Sequence, residues 1–237
     1  MNCLLFEAQE LDRAAMTLRL EGRRRRHAEE ILRARQGDRL RVGEIGGQLG
    51  AGEILRLDRE VLELRVRLEG EPPRKLPLRM VLALPRPPVF RRVLSTLASL
   101  GAESILVVGT ARTERSFWQS RVIEVDAIRE RLLLGLEQAR DTVLPTVRLH
   151  RYFESLVEEQ LPEWVEGRRA LVAHPGAGTP CPHSIEAPVT LFVGPEGGLL
   201  DHEVERLAQI GFEPIDLGDR ILRVEPVIPL LVGRLFG

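Results

Sequence analysis

Lysine is almost absent from this 237-residue chain: Lys75 is the only one, and every other basic side chain is arginine. The formal net charge is −1, so no global basic field exists to gather polyanions over the whole surface. Aromatic residues make up 4% of the chain, which leaves few platforms for base stacking. Two cysteines, Cys3 and Cys181, cannot form a disulfide framework, and a reducing compartment is the simpler expectation. No run approaches the ~18 apolar residues of a membrane span. The N-terminus reaches an acid at Glu7 without a long apolar segment, so neither a signal peptide nor a membrane anchor is expected. These absences point to a cytoplasmic protein without a membrane partner. Templates with Gly-x-Ser-x-Gly or His-Glu-x-x-His are also missing, which leaves common hydrolase chemistry without an anchor.

What is present is uneven. Residues 1–79 hold 17 Lys+Arg against 14 Asp+Glu, and the remainder is acidic. Arg39–Gly43, Glu53–Leu57 and Val61–Leu68 alternate apolar and polar residues, the mark of strands with one buried face. They define a small β-rich domain over residues 1–72, in which a short helix, His27–Arg33, precedes these strands. Glu71-Pro-Pro-Arg-Lys-Leu-Pro77 reads as a linker. Beyond it, over 73–237, the pattern changes to continuous apolar runs, Met80–Leu84, Ile105–Val108, Ala170–Ala173 and Leu191–Val193. They alternate with helical stretches at Val89–Leu100, at Ser116–Arg140, which is long and open to a break, and at Asp201–Ile210. That is the signature of an α/β domain with a parallel sheet covered on both faces.

Three strand-like runs, Ala170–Ala173, Leu191–Val193 and a further one over 213–217, end in glycine-bearing loops: His174-Pro-Gly-Ala-Gly178, Gly194-Pro-Glu-Gly-Gly198 and Asp216-Leu-Gly-Asp-Arg220. Glycine there lets backbone N–H and C=O groups approach a ligand, and in α/β sheets ligands bind at the carboxyl ends of strands. The loops match neither a P-loop nor a dinucleotide fingerprint. Asp201 can cap the helix that follows the second loop. Arg220 and Arg223, with Glu225 two residues on, make either an anion contact or a surface ion pair. The run Arg23, Arg24, Arg25, Arg26, His27 and the nearby Arg33 read as a phosphate-binding patch or a solvated surface. His174, Cys181 and His183 fit no standard zinc spacing, so no metal is expected.

Gly194-Pro-Glu-Gly-Gly-Leu199 together with Leu217-Gly-Asp-Arg-Ile-Leu-Arg223 resembles the RsmE family, SPOUT-superfamily methyltransferases that act on a uridine N3 of 16S ribosomal RNA. His27-x-x-x-Ile-Leu-Arg33 with Gly37-Asp38, Glu114-Arg-Ser116, and Glu137-Gln-x-Arg140 with Pro145 resemble further family motifs in the same order. The resemblance implies a C-terminal trefoil knot, a PUA-like β-barrel at the N-terminus, and a homodimer. It implies S-adenosylmethionine as cofactor, held by Leu171, His174, Gly176, Val193, Gly194, Glu196, Gly197, Leu217, Gly218, Ile221 and Leu222. It implies catalytic roles for Arg140, Arg223 and Glu225, and 16S rRNA of the small ribosomal subunit as partner. Two features depart from the family pattern. A Thr-Glu-Thr-Ala-like stretch is replaced by Val224-Glu-Pro-Val227, and Leu200 stands where a capping serine is usual. The alternatives are a SPOUT 2′-O-ribose methyltransferase, which the absent Ser-Leu-Asn-like segment disfavours, and a non-catalytic RNA-binding assembly factor.

Overall fold

A computed structural model describes residues 3–237, so Met1 and Asn2 of the N-terminal stretch read above lie outside the described residues. The chain divides into two compact units, Met1–Arg74 with Leu133–Leu144, and Lys75–Leu132 with Pro145–Gly237.

The first unit is a six-stranded sheet. Its strands are β1 (Leu4–Phe6), β2 (Leu11–Asp12), β3 (Thr17–Leu20), β4 (Arg39–Glu44), β5 (Leu49–Leu57) and β6 (Leu62–Gly70). They lie in the order β1-β4-β5-β6-β3-β2. The β1–β4 pair is parallel and the other pairs are antiparallel. The period-two pattern works as expected. Leu62, Leu64 and Val66 of β6 turn into the core with Leu18, Leu20, Val42 and Ile54, while Arg65 and Arg67 face solvent. A Cβ on Gly50 would strike the carbonyl oxygen of Arg67 on the facing strand, so only glycine fits that bulge. The helix expected over 27–33 begins earlier. α1 (Gly22–Arg26) takes in the arginine run, and a π-helical turn continues it through His27–Ile31. Arginine is a good helix former, and the run has no breaker until Arg33 adopts φ 52°.

The second unit contains β7 (Leu76–Ala83), α2 (Pro87–Leu100), β8 (Ala102–Val108), the start of α3 (Val125–Ala139), β9 (Thr146–His150), α4 (Phe153–Glu159) and α5 (Leu161–Val165). It closes with β10 (Arg169–Ala173), β11 (Val189–Val193), α6 (Asp201–Gln209), β12 (Glu213–Ile215) and α7 (Val224–Phe236). Its sheet is wholly parallel, in the order β12-β10-β11-β7-β8-β9. The chain runs outward through β7, β8 and β9, then returns to build β10, β11 and β12 on the other side. The order reverses at the β7–β11 pair, and such a reversal opens a crevice at the carboxyl ends of the strands. Phe192 of β11 meets Phe153 and Phe212 edge-on, at centroid distances of 6.2 and 6.1 Å. Each such pair adds roughly 1 kcal/mol beyond its buried area.

Two sequence-based expectations change, and a third is settled. The long helical stretch over 116–140 is broken: two 3-10 turns, Arg115–Gln119 and Arg121–Ile123, precede α3. Ser120 and Glu124 take extended backbone and interrupt the ladder. Pro77 belongs to β7 rather than to the linker. It sits where the pairing with β8 slips, so its missing N–H costs the ladder nothing there. The strand expected over 213–217 stops at Ile215, and Asp216 makes only an isolated bridge to Pro180. Among the described residues no helix is long and apolar enough to cross a membrane.

Candidate active site

A cavity of about 330 Å3 opens at the carboxyl ends of β10, β11 and β12, against the first two turns of α7. The volume is that of a small-ligand pocket. All three glycine loops reach it. His174 and Pro175 follow β10; Gly194 to Leu199 follow β11; Asp216 to Leu222 follow β12, apart from Asp219. Val224, Val227 and Leu231 of α7 complete an apolar wall.

A few carboxylates and one arginine set the loop positions. Asp216 accepts from Gly218 N through Oδ1 (3.1 Å) and from Gly178 N through Oδ2 (2.8 Å), so one side chain ties the first and third loops together. Gly218 has φ 100°, a backbone conformation in which any other residue is strained. In the second loop Glu196 accepts from Arg86 N (3.0 Å), and Arg112 Nη1 donates to Gly197 O (2.5 Å). Glu203, in the first turn of α6 and 1% exposed, accepts from Leu200 N and Ala111 N, both at 2.8 Å. Asp201 was expected to cap α6. It is instead the first helical residue, Leu200 occupies the cap without a hydroxyl, and Glu203 reaches back to the open N–H.

The cavity suits a mixed polar and apolar ligand. His174 lines it, and His174 Nδ1 is buried without a hydrogen-bond partner in the described structure. An orphaned polar atom costs free energy until something pairs with it, so this one fits a ligand heteroatom. Of the cofactor residues expected from sequence, His174, Val193, Gly194, Glu196, Gly197, Leu217, Gly218, Ile221 and Leu222 line the cavity. Leu171 lies fully buried within β10, in register with Leu191, and Gly176 stands one residue beyond the lining.

The expected catalytic residues are placed differently from one another. Arg223 is the residue before α7 and is exposed. Glu225, in the first turn of α7, pairs with Arg92 of α2 at 2.5 Å. That hydrogen bond holds the Glu225 carboxyl below the usual carboxylate range, with a smaller contribution from Arg223. A carboxylate stabilised in this way is a weaker base. Arg140 belongs to the first unit, where it is exposed with φ 58°.

Much of the N-terminal arginine run is occupied. Arg23 forms a two-pronged pair with the buried Glu137 (2.8 and 2.9 Å). Arg24 grips Glu10 and the Leu5 carbonyl. Arg25 is buried, donating to Glu29 and to Asp58 O. Arg26 and Arg33 are exposed, and His27 is half-buried. Sequence reasoning missed Arg86, Arg92, Arg112, Asp216 and Glu203. The partners of Arg86, Arg92 and Arg112, and one partner each of Asp216 and Glu203, lie far away along the chain, so no spacing rule could reveal those contacts. The acidic residue at N3 of α6 was the one local signal.

Residues 72–234 match the family model of the RNA methyltransferase domain. A ribosomal RNA small subunit methyltransferase E from Treponema pallidum (strain Nichols) is 30% identical over 230 residues, covering 95% of this chain and 86% of that protein. Ribosomal RNA small subunit methyltransferase E 1 of Borreliella burgdorferi is 24% identical over 95% of this chain and 93% of its own length. In fold, the chain is similar to the crystal structure of a ribosomal RNA small subunit methyltransferase E from Neisseria gonorrhoeae bound to S-adenosyl methionine. The TM-score is 0.75 at 20% identity, covering 97% of this chain and 95% of that one. The chain belongs to the ribosomal RNA small subunit methyltransferase E (RsmE) family of RNA methyltransferases.

Proposed function

We propose that the protein transfers a methyl group from S-adenosylmethionine to N3 of a uridine in the 16S rRNA of the small ribosomal subunit. The observation that carries this reading is the three-loop cavity with its orphaned His174 Nδ1, in a chain of this family. We assign cofactor binding to the lining residues named above, with Leu171 and Gly176 supporting the first loop from behind. When bound, the cofactor supplies an electrophilic methyl group on a sulfonium.

The protein's own residues have two tasks. The first is to exclude water, which Val224, Val227 and Leu231 do as an apolar wall. The second is to make uracil N3 a nucleophile. That nitrogen carries a proton at neutral pH, and a positive potential beside the ring favours its loss to solvent. Arg223 stands before the N-terminus of α7, so its guanidinium and the positive end of the helix act in the same sense. We assign Arg223 to stabilising the uracil anion. Arg140, Arg26 and Arg33 are assigned to RNA phosphates, as are any contacts that Arg23, Arg24, Arg25 and His27 make besides their internal partners. Glu225 is assigned to fixing Arg92, because its lowered pKa suits an ion-pair partner better than a base.

Further parts of the reading rest on the family. Residues 1–72 would form a PUA-like barrel that binds RNA, and 73–237 the SPOUT methyltransferase domain with a trefoil knot. The knot draws support from the 181–185 segment, which hydrogen-bonds to Asp216 O and to the Arg234 and Leu235 carbonyls of α7. A homodimer accounts for the exposure of Ile221, Leu222 and Leu230, large apolar side chains beside the cavity that a second copy would cover. The site of action would be the cytoplasm.

The test is methyl transfer from labelled S-adenosylmethionine to small subunits that lack the modification, with the product nucleoside identified. 3-Methyluridine is expected. A 2′-O-methyl product would move the protein to the ribose-modifying branch, and no cofactor binding would leave a non-catalytic RNA-binding protein. Within the same assay, Arg223→Ala should lower kcat at least tenfold with cofactor affinity nearly unchanged. Equal turnover would remove the role given to Arg223.

A further inference from the structure

A second cavity, of about 730 Å3, lies in the same unit at the carboxyl ends of β8 and β9. Gly109 to Thr113 form one side, apart from Arg112, with Arg151 to Glu154 opposite and His202 and Glu203 of α6 at the end. The 110–113 segment is a wall shared with the first cavity: Arg112 lines the first, and Thr110, Ala111 and Thr113 line the second. Glu203 fixes that wall through Ala111 N.

The lining has a definite chemistry. Two guanidiniums, Arg115 and Arg151, and three aromatic rings, Trp118, Tyr152 and Phe153, meet there, and Phe153 is also part of the hydrophobic core. Arg151 lies over the Tyr152 ring at 5.9 Å, and that ring is 66% exposed. The two carboxylates present are already engaged: Glu154 with Arg206 at 3.3 Å, and Glu203 with two backbone N–H groups. Neither holds Arg115 or Arg151. The Trp118 ring packs directly against Gly109, where a Cβ would lie 2.9 Å from its Nε1 and 2.5 Å from Arg151 O. Cations for phosphate beside rings for a base are what single-stranded nucleic acid requires. In a chain with so few aromatic residues, three rings at one cavity, two of them outside the core, are a concentrated resource.

We propose that this cavity binds one unpaired RNA nucleotide, its phosphate on Arg115 and Arg151 and its base against Trp118 and Tyr152. Placing that nucleotide next to the methylated one rests on the function proposed above and on the shared wall.

The experiment compares the full chain with Arg115→Ala, Arg151→Ala and Tyr152→Ala, all at exposed side chains. Two readouts are used: binding of fluorescent heptauridylate by anisotropy at several salt concentrations, and steady-state methylation of small subunits. Each variant should weaken heptauridylate binding about tenfold. The two arginine variants should also flatten the salt slope by about 0.7 each, and Tyr152→Ala should leave it unchanged. In methylation, KM for the subunits should rise while kcat and cofactor affinity hold. Unchanged heptauridylate affinity in all three variants overturns the proposal, and if binding to intact subunits is weakened in those same variants, the cavity docks a subunit protein instead. A wild-type chain that binds heptauridylate through these residues yet methylates nothing would uphold the cavity and remove the proposed reaction.

Discussion

Replacing Glu203 by alanine should loosen the cavity without touching any residue that lines it from the first, second or third glycine loop. The carboxylate is 1% exposed and accepts two backbone hydrogen bonds at 2.8 Å, from Leu200 N at the start of α6 and from Ala111 N after β8. Bonds to a charged acceptor contribute about 1.5 kcal/mol or more each. A negative charge in the first turn of a helix adds a few tenths. Both donors are partly accessible to water, so the low end of each range applies, and the loss comes to about 3 kcal/mol. For a chain of this size that lowers Tm by roughly 6–12 °C. Glu203→Gln keeps one acceptor oxygen and points an NH2 at the other donor, so about half the loss is expected. Because Leu200 ends the Gly194–Gly198 loop, cofactor affinity should fall in step with stability. Differential scanning fluorimetry with and without S-adenosylmethionine measures both quantities. An alanine variant that melts with the wild type would mean that the two bonds form at no net gain, and the account of how the loop is positioned would fail.

Other changes follow from the same geometry. Asp216→Ala frees Gly178 N and Gly218 N together, so cofactor binding by calorimetry should weaken about tenfold; an unchanged Kd would show that the loops hold their places unaided. Arg23→Ala leaves the buried Glu137 carboxylate without its arginine and should cost about 3 kcal/mol, read as a lower urea midpoint, whereas Arg26→Ala, at an exposed position, should leave it within error. The Cys3 thiol is pushed up to about 12 by burial, with the Glu137 charge adding to it, and burial also raises Cys181. Neither should react with a maleimide at pH 8 until the chain is unfolded, and fast labelling of the native protein would contradict their burial. The Glu225 carboxyl, held low by Arg92, gives a contribution that is present above the ordinary carboxylate range and lost as pH falls through its lowered value. The Arg92→Ala variant should therefore lose less stability than wild type when acidified from pH 6 to pH 3.

The parts of the fold that were legible in the sequence are those encoded by local pattern. The alternation in β6 and the continuous runs of β7, β8, β10 and β11 state their burial directly. The glycine loops pointed to the carboxyl ends of the strands, and all three reach one cavity there. α7 was not legible. Pro229 argues against a helix, yet Val224, Ile228, Leu231, Val232 and Leu235 form one buried face, and that packing outweighs the lost N–H of Pro229. The arginine run shows a different limit. Four identical letters gave no sign that Arg23 is held by a carboxylate 114 residues away while Arg26 is left to solvent. A side chain's charge is written in the sequence; whether that charge is already neutralised depends on the fold.

The departures after Arg223 can be read in the same terms. Where the family pattern has hydroxyls, this chain has Val224 and Pro226. Val224 is 4% exposed and lines the cavity, so it replaces a polar contact by apolar wall. Pro226 falls in the first turn of α7, where a missing N–H breaks no helical bond. Arg223, at the cap position, makes no capping hydrogen bond, and Glu225 is the one carboxylate in the first turn, held by Arg92. The departure begins one residue beyond Arg223, so it removes hydroxyls from the first turn and leaves the charge at the cap as the family pattern has it. Under the function proposed above, it makes that helix end drier without making it more positive. Turnover in this chain should accordingly depend on Arg223 more than on any hydroxyl near α7.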